Sequence, residues 1–411
     1  MPRAARMRPA ELAVRGSIDA SARAGPAIRT RAVVLTELFP PAIGGSGELL
    51  ANVYSRFGDI PVTVLTGGAA DAASASGLSI IRDVRWGPHW GLLHPAGCWT
   101  HLVRTRQLLR IARRAQAVVH CGRVIPEGLD GYLAMRFGGS AYLCWAHGEE
   151  LMYARHSREI DRLMRLVFRH AAAIIANSQS TASRLVDFGV PAARVSVARP
   201  GVDARRFAPA VPGAATLRAR LASRHELVLL TVGRLQRRKG HDLVLQTLAQ
   251  LGPESPPVRY VIVGGGPEEA RLRHLSSELG VGDRVVFVGE VAAVELPRYY
   301  AAADLFVHPN RIEQGDFEGF GLVLLEAAAA GLPVIAGATG GTPEAVKNGT
   351  TGVLVSGVSI EELRSAVLEL AGSPVRRRAM GEAGRAMVLN EFTWEHAAAA
   401  AAATHLRVAS S

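Results

Sequence analysis

The segment Glu318-Gly319-Phe320-Gly321-Leu322-Val323-Leu324-Leu325-Glu326 sets two carboxylates eight positions apart around a glycine turn and an apolar run. Each part has a chemical use. Glycines at 319 and 321 let backbone amides approach a ligand closely, and a helix opening there aims unpaired N–H groups and its positive dipole end at an anion. Glu318 stands just ahead of that end, and Glu326 follows up to about 12 Å further on, at about 1.5 Å per helical residue. A long, anionic, hydroxyl-rich ligand fits this arrangement, and the span is that between sugar and ribose in a nucleotide diphosphate sugar. Spacing alone favours the plainer reading, a helix with one solvated Glu before it and another on its exposed face.

A cationic loop precedes this segment: Thr231-Val232-Gly233-Arg234-Leu235-Gln236-Arg237-Arg238-Lys239-Gly240. Lys239 and Lys347 are the only lysines, every other strong base being Arg, so an ammonium here is a distinct choice from a guanidinium. The loop follows an apolar strand and precedes a helix, which places its cations at the carboxyl edge of a sheet, where open α/β folds bind ligands. Arg237 and Arg238 read as solvated members of it. Gly264-Gly265-Gly266 ends another strand, and Glu290 follows a third.

In the first half, Gly44-Gly45-Ser46 forms a glycine loop. It is no dinucleotide fingerprint: position 50 is Leu, and Thr66-Gly67-Gly68 ends the next strand without an acid. Cys144-Trp145-Ala146-His147-Gly148-Glu149-Glu150 closes another strand, and Asn177-Ser178-Gln179-Ser180 opens a helix in which Ser178 or Ser180 can act as the cap.

The elements that must position these groups alternate. Strands are expected at 31–36, 62–66, 117–120, 142–146 and 173–176, with a helix from about 47 and an Arg-rich helix over 102–114. After a break at Arg199-Pro200-Gly201-Val202-Asp203 a second series follows, with strands near 227–232, 260–263, 285–288, 305–308, 334–336 and 352–355 and helices between them. Alternation implies parallel sheets with crossover helices. The fold class is α/β, with an extension over 1–28, a first domain over 29–205, a second over 206–385 and a terminal segment over 386–411.

At 411 residues, two domains of ordinary size are expected, and 48% hydrophobic with 20% charged residues describes a globular chain. No apolar run reaches the about 18 residues of a membrane span. Cys98, Cys121 and Cys144 are odd in number and lack metal-ligand spacing, which fits a reducing cytoplasm and no metal site. Residues 1–28, rich in Arg, Ala, Pro and Gly, lack the apolar stretch of a secretory signal and read as a disordered extension, a transit peptide being the other reading. The net charge of +11 falls entirely in residues 1–200, with 25 Arg against 14 acids. An anionic acceptor or membrane surface suits that half. Nucleic acid is disfavoured, since the arginines lack interleaved aromatics and any recognisable binding module. Over 102–114, Leu102, Val103, Leu108, Leu109 and Ile111 interleave with Arg104, Arg106, Arg110, Arg113 and Arg114. Such a helix either lies on anionic lipid or packs its apolar face inward.

Taken together, Glu318-x7-Glu326, Ala338-Thr339-Gly340-Gly341-Thr342-Pro343-Glu344 and Gly233-Arg234 with Lys239-Gly240 resemble the motifs of retaining, two-domain (GT-B) glycosyltransferases of family 4, over roughly residues 30 to 400. The resemblance implies two Rossmann-like domains facing across a cleft, with a terminal helix after Phe392-Thr393-Trp394-Glu395 crossing back to the first. It implies that Arg234, Lys239 and the amides of Gly319, Phe320, Gly321 and Leu322 hold the donor diphosphate. Glu318 and His147 would hold sugar hydroxyls, Glu326 the ribose, and Gly264 and Glu290 the nucleotide side, while Gly44, Gly45 and Ser46 meet phosphate or acceptor. No Asp-x-Asp pair is present, Asp316-Phe317-Glu318 being the nearest approach, so no metal or other cofactor is expected. Asn310-Arg311 with Gly315–Gly321 is similar to phosphatidylinositol and polysaccharide mannosyltransferases. That similarity implies GDP-mannose, with UDP-sugars open, and a lipid-linked or glycan acceptor; the cysteines and the charge of the first half add the expectation of a cytoplasmic protein that can lie peripherally on the inner face of the membrane. A sugar-nucleotide epimerase or hydrolase and a non-catalytic relative share the architecture.

Overall fold

The computed structural model describes residues 31–41, 44–68, 77–252 and 255–410. The extension expected over 1–28 lies outside them. Seven parallel strands make the first sheet: β1 Arg31–Leu35, β2 Val62–Leu65, β3 Ser79–Ile81, β4 Ala117–Cys121, β5 Tyr142–Ala146, β6 Ala173–Ala176 and β7 Val195–Val197, in the order β3-β2-β1-β4-β5-β6-β7. Six make the second: β8 Leu227–Val232, β9 Val258–Val263, β10 Val285–Gly289, β11 Leu305–His308, β12 Val334–Gly337 and β13 Gly352–Val355, in the order β10-β9-β8-β11-β12-β13.

Helices on both faces bury these strands completely at the centre, which is why β4, β5 and β8 are continuous apolar runs rather than alternating ones. The short strands β3 and β7 escape sequence reading because three residues carry too little pattern. Each sheet reverses its winding once, between β1 and β4 and between β8 and β11. At such points neighbouring loops diverge and leave a crevice at the carboxyl ends of the strands.

The chain passes between the sheets at 199–203 and again at 392–394, and the two crossings touch. Val202 N–H donates to the Phe392 carbonyl at 2.9 Å, and Gly201 lies so close to the Thr393–Trp394 backbone that a Cβ has no room. Helix Pro374–Glu391 still belongs to the second core through Met387 and Val388. Helix Trp394–Ala409 then lies on the first, where Trp394, Ala397, Ala398 and Ala401 pack with β1, β5 and helix Gly45–Tyr54.

A buried chain of hydrogen bonds fastens this terminal helix. Trp145 Nε1–H donates to the Tyr54 hydroxyl at 2.8 Å, so that hydroxyl donates to His120 Nδ1 at 2.7 Å. His120 therefore carries its proton on Nε2 and donates to His405 Nδ1 at 2.8 Å. Burial, with His405 adding to it, holds the His120 imidazolium well below the usual histidine range, which keeps the ring neutral and the sequence of donors intact.

The Arg-rich helix spans Pro95–Ala115. Arg104 departs from the expected solvated stripe: it is buried, donates to Asp130 at 2.6 Å and lies over the Trp86 ring at 4.8 Å. Leu108 also faces the core, whereas Leu102 and Trp99 are exposed at 54% and 65%.

Replacing His405 with Ala strands the His120 Nε2–H and opens a cavity, with an expected cost of about 2–4 kcal/mol in urea denaturation. An unchanged unfolding midpoint would mean that the terminal helix is held by its alanine face alone.

Candidate functional site

The second sheet's reversal brings the loop after β8 beside the loop after β11. From the first comes Lys239, in a short 3-10 turn Arg237–Lys239 that ends at Gly240; from the second comes Glu318. Lys239 Nζ donates to Glu318 Oε2, which also accepts from Arg238 Nη1 at 2.9 Å and His308 Nε2 at 3.3 Å. Burial opposes charge on Glu318, but Lys239, His308 and Arg238 outweigh it and hold the carboxyl well below its usual range. Burial lowers Lys239 in turn, with Glu318 opposing that shift. His308, pushed down by burial, is neutral and must place its proton on Nε2 to reach Glu318.

Arg238 thereby corrects its reading as a solvated loop residue. Its side chain is 14% exposed and bridges Glu318 to Asp316, the latter at 3.0 Å. Arg234 behaves in the opposite way: it is exposed at the loop's tip, and its side chain has no hydrogen bond or ion pair among the described residues. A guanidinium free at the edge of the crevice is available to an anion.

Backbone contacts set the positions of these groups. Gly264 has φ +129° and lies against the Gly233 carbonyl, where a Cβ would collide, so the turn after β9 rests directly on the loop that carries Arg234. Glu290, at the end of β10, is exposed with its side chain beside Gly265. On the other side, Gly341 N–H donates to the Glu318 carbonyl at 2.9 Å, so the turn after β12 props the Glu318 loop.

Gly321 starts helix Leu322–Ala329 and gives it no side-chain cap, and the amides of Leu322 and Val323 find no acceptor among the described residues. Helix Gly45–Tyr54 of the first sheet is likewise uncapped by any side chain at Gly44. The two helix starts face each other, a Cβ on Gly45 lying 3.4 Å from Leu322 Cδ1. Two positive dipole ends converge there, with Ser46 in the first turn of one helix. Phe320 contributes only its backbone, because its ring is buried against Phe392 at 5.8 Å.

Glu326, one turn into its helix, accepts a hydrogen bond from the Tyr300 hydroxyl at 2.6 Å. Burial lifts its carboxyl to about 7, against the Tyr300 bond and the charge of Arg206. The carboxyl is thus poised to change charge near neutrality.

From the first sheet, His147 at the end of β5 donates its Nε2–H to the Gly122 carbonyl at 2.9 Å, which leaves Nδ1 as the acceptor nitrogen of the neutral ring. Its main chain is fixed by Glu150, which accepts from the His147 amide at 2.9 Å, and by Asn177, which donates to its carbonyl at 3.1 Å. Gly319 packs against that same carbonyl with no room for a Cβ, so His147 and the Glu318 loop are in direct contact across the cleft.

Two further contacts join the lobes here. Arg184 lies over the Phe317 ring at 3.9 Å. Glu344 accepts from the amides of Gln179 and Ser180, both at 3.0 Å, and from Arg199 at 2.9 Å, so a second-lobe carboxylate caps a first-lobe helix. Ser178 is that helix's own cap, through the Thr181 amide. Gly44, Gly45, His147, Lys239, Gly319, Gly321 and Glu318 are therefore gathered at one cleft, with Arg234, Gly264 and Glu290 on its second-lobe rim. Arg238, read as solvated, and Glu344, which closes the Ala338–Glu344 motif, join them, as do His308 and Tyr300, which were not singled out. The position of His308 at a strand's carboxyl end, beside the Glu318 segment, could have pointed to it.

Tyr300→Phe removes the bond that favours ionised Glu326, so the Glu326 carboxyl should titrate above 7 in a carbon-13 NMR titration. A midpoint that stays put or falls would show that the Tyr300 bond does not support the charged form.

Comparison with known proteins bears on this cleft. Residues 215–387 match the family described as Glycosyl transferases group 1, and residues 48–206 match Glycosyltransferase Family 4. A protein of Mycobacterium tuberculosis named GDP-mannose-dependent alpha-(1-6)-phosphatidylinositol monomannoside mannosyltransferase is 34% identical over 90% of this chain and 96% of its own. Its namesake in Mycolicibacterium smegmatis is 36% identical over 71% and 77%. The solved structure of sucrose-phosphate synthase from Thermosynechococcus elongatus superposes with a TM-score of 0.78 at 24% identity, over 93% of this chain and all of the other, a likeness of fold. With both halves matched and a relative aligned over nearly its whole length, the chain belongs to glycosyltransferase family 4, of the GT-B fold.

Proposed function

We propose that this glycosyltransferase moves mannose from GDP-mannose to a hydroxyl of a lipid-linked acceptor, with retention of configuration. The observation that carries the reading is the Lys239–Glu318 cluster at the second sheet's reversal, in contact with His147 through Gly319. The names of the mycobacterial relatives support the choice of sugar, base and acceptor.

In this reading the donor's pyrophosphate lies between the facing helix starts, with Arg234 and Lys239 supplying the positive charge that a leaving diphosphate needs. Those cations support transfer without a metal. Glu318 and His147 hold hydroxyls of the transferred sugar, and Glu326 the ribose, with Glu290 and Gly264 on the base side. The acceptor's hydroxyl attacks the anomeric carbon on the face the diphosphate leaves, and the departing diphosphate takes the hydroxyl's proton. The protein's contribution is positioning and preorganised charge.

Incubation with radiolabelled GDP-mannose and extracted membrane lipid should label lipid; release of free mannose alone would point to a hydrolase instead. Arg234→Ala and Lys239→Ala should each weaken GDP binding by about 1.5–3 kcal/mol, as loss of a charged hydrogen bond does. Glu318→Gln should lower transfer more than it weakens GDP binding, since in this reading it touches the sugar directly and reaches the nucleotide only through Lys239; equal loss of both would assign Glu318 a structural role alone.

Among the described residues no helix is long and apolar enough to cross a membrane. Docking at the inner face of the membrane would use the outward side of helix Pro95–Ala115, where Trp99, Leu102, Arg106 and Arg110 follow one another at helical spacing, all exposed. Arg104 takes no part. Each arginine near an anionic surface contributes about 1 kcal/mol, so replacing Arg106 and Arg110 with Ala should weaken binding to phosphatidylglycerol vesicles about thirtyfold in co-sedimentation. Unchanged partitioning would remove this face from the proposal.

A further inference from the structure

Helix Gln179–Asp187 of the first lobe starts with too few acceptors of its own. Ser178 Oγ accepts the Thr181 amide at 2.9 Å and the Ser178 carbonyl accepts the Ala182 amide at 3.0 Å, which leaves the amides of Gln179 and Ser180 to find partners elsewhere. They find them in the second lobe. Glu344 Oε2 accepts from Gln179 and Oε1 from Ser180, both at 3.0 Å, and Oε2 also accepts from Arg199 Nε, in the chain crossing, at 2.9 Å. Among the described residues, every hydrogen bond of the Glu344 side chain thus comes from the first lobe or the crossing. A carboxylate at the positive end of a helix is favoured by charge, and charge-assisted bonds of this kind are the stronger ones.

Both ends of this bridge lead to residues placed on the transferred sugar. On the first-lobe side, Asn177 directly precedes the cap; its amide donates to the Ala146 carbonyl at 3.2 Å and its side chain to the His147 carbonyl at 3.1 Å. On the second-lobe side, the Glu344 amide donates to the Gly341 carbonyl at 3.0 Å, and the Gly341 amide to the Glu318 carbonyl at 2.9 Å. A Cβ on Gly340 would fall on that same carbonyl, and one on Gly341 on the carbonyl of Gly319, so the turn lies flat against the Glu318 loop. The ring of contacts closes where Gly319 meets the His147 carbonyl. Phe317 grips the same helix further along: its buried ring lies under Arg184 and against Gly148, where a Cβ has no room.

The distance so constrained is that between His147 and Glu318. Packing of Gly319 on the His147 carbonyl is steric: it stops the two loops approaching and does nothing to stop them parting. Glu344 and Phe317 supply the attraction. The carboxylate is also directional, since its two oxygens must each lie within hydrogen-bond reach of successive amides, which fixes orientation as well as separation. Such precision matters for transfer, because a misplacement of about 1 Å costs up to about a hundredfold in rate. It matters far less for the nucleotide, whose cationic partners Arg234 and Lys239 both stand on the second lobe.

Resting on the transferase reading, we propose that Glu344 is a positioning residue for sugar transfer: by capping helix Gln179–Asp187 from across the cleft, it sets His147 and Glu318 at the spacing the transferred sugar requires. Steady-state transfer from GDP-mannose to extracted membrane lipid, beside calorimetric titration with GDP, tests this. Glu344→Ala should lower kcat about 10- to 100-fold while GDP affinity changes less than about threefold. Glu344→Gln, which keeps one acceptor oxygen, should fall between that variant and the wild type. Gln179→Pro removes a donor of the bridge at a first helical position, which accepts proline; it should lower kcat by itself and add little to Glu344→Ala. Unchanged kcat in Glu344→Ala, GDP affinity lost in proportion to kcat, or fully additive effects of the two substitutions would overturn the assignment. Should the Ala variant not fold, Glu344→Gln decides, since it keeps the side chain's volume: a wild-type kcat, or equal loss of kcat and GDP affinity, overturns the role. The wild-type assays keep the two readings apart. Failure to bind GDP and to label lipid sinks the transferase reading and this one with it, whereas full transfer by Glu344→Ala sinks only the role of Glu344.

Discussion

Glu318 is buried among Lys239, Arg238 and His308, and this one ionised carboxylate ties together the loops of β8 and β11. An isolated charge in that position would be expelled or neutralised, so the three partners must all stay in place for the loop to keep its shape. The glycine turn after β12 rests on the Glu318 carbonyl, Gly319 rests on His147 of the other lobe, and Gly321 opens the uncapped helix. Each of these contacts fails if the Glu318 loop moves.

Both sheets use their reversal in the same way. Where winding changes direction, two loops diverge at the carboxyl ends of adjacent strands, and in each lobe that gap holds acidic and basic groups paired with one another: Lys239 and Arg238 with Glu318 in the second, Arg123 with Glu37 and Glu127 in the first. The balance of charge differs. Arg234 adds a free cation at the second lobe's rim and the two facing helix starts add positive dipoles, while the first lobe's cluster sets two carboxylates against one guanidinium. The overall excess of arginine in the first half therefore does not describe its cleft. Among the described residues, part of that excess lies on the outward face of helix Pro95–Ala115, and one arginine of that helix that turns inward, Arg104, is paired with Asp130.

The lobes meet through contacts of unequal character. Chain crossings at 199–203 and 392–394 pack backbone on backbone, and the terminal helix is fastened by neutral, directional hydrogen bonds through His120 and His405. Across the cleft the contacts are a carboxylate on a helix start, a guanidinium on a ring and a glycine on a carbonyl. The first set is buried and fixes which elements belong together. The second set is mixed: Arg199 and Glu344 are partly exposed, whereas Phe317 and His147 are buried.

Local sequence determined the alternation of strands and helices, the glycine turns at 264, 319–321 and 340–341, and the placing of Arg234, Lys239 and His147 after strands and of Glu318 ahead of a helix. Those features are encoded within a few residues, by apolar runs, by the absence of a Cβ and by charge next to a turn. Their recurrence in one order was enough to identify the fold. Tertiary structure decided which charges are free and which are spent on one another. Arg238 looked solvated until β11 brought Glu318 to it; Arg104 looked like a surface residue until Asp130 faced it. Glu37 meets Arg123 across 86 positions and His120 meets His405 across 285, and Glu344 caps a helix of the other lobe. Such pairings depend on the order of strands in a sheet and on what is buried with what, neither of which is written in any short stretch of chain.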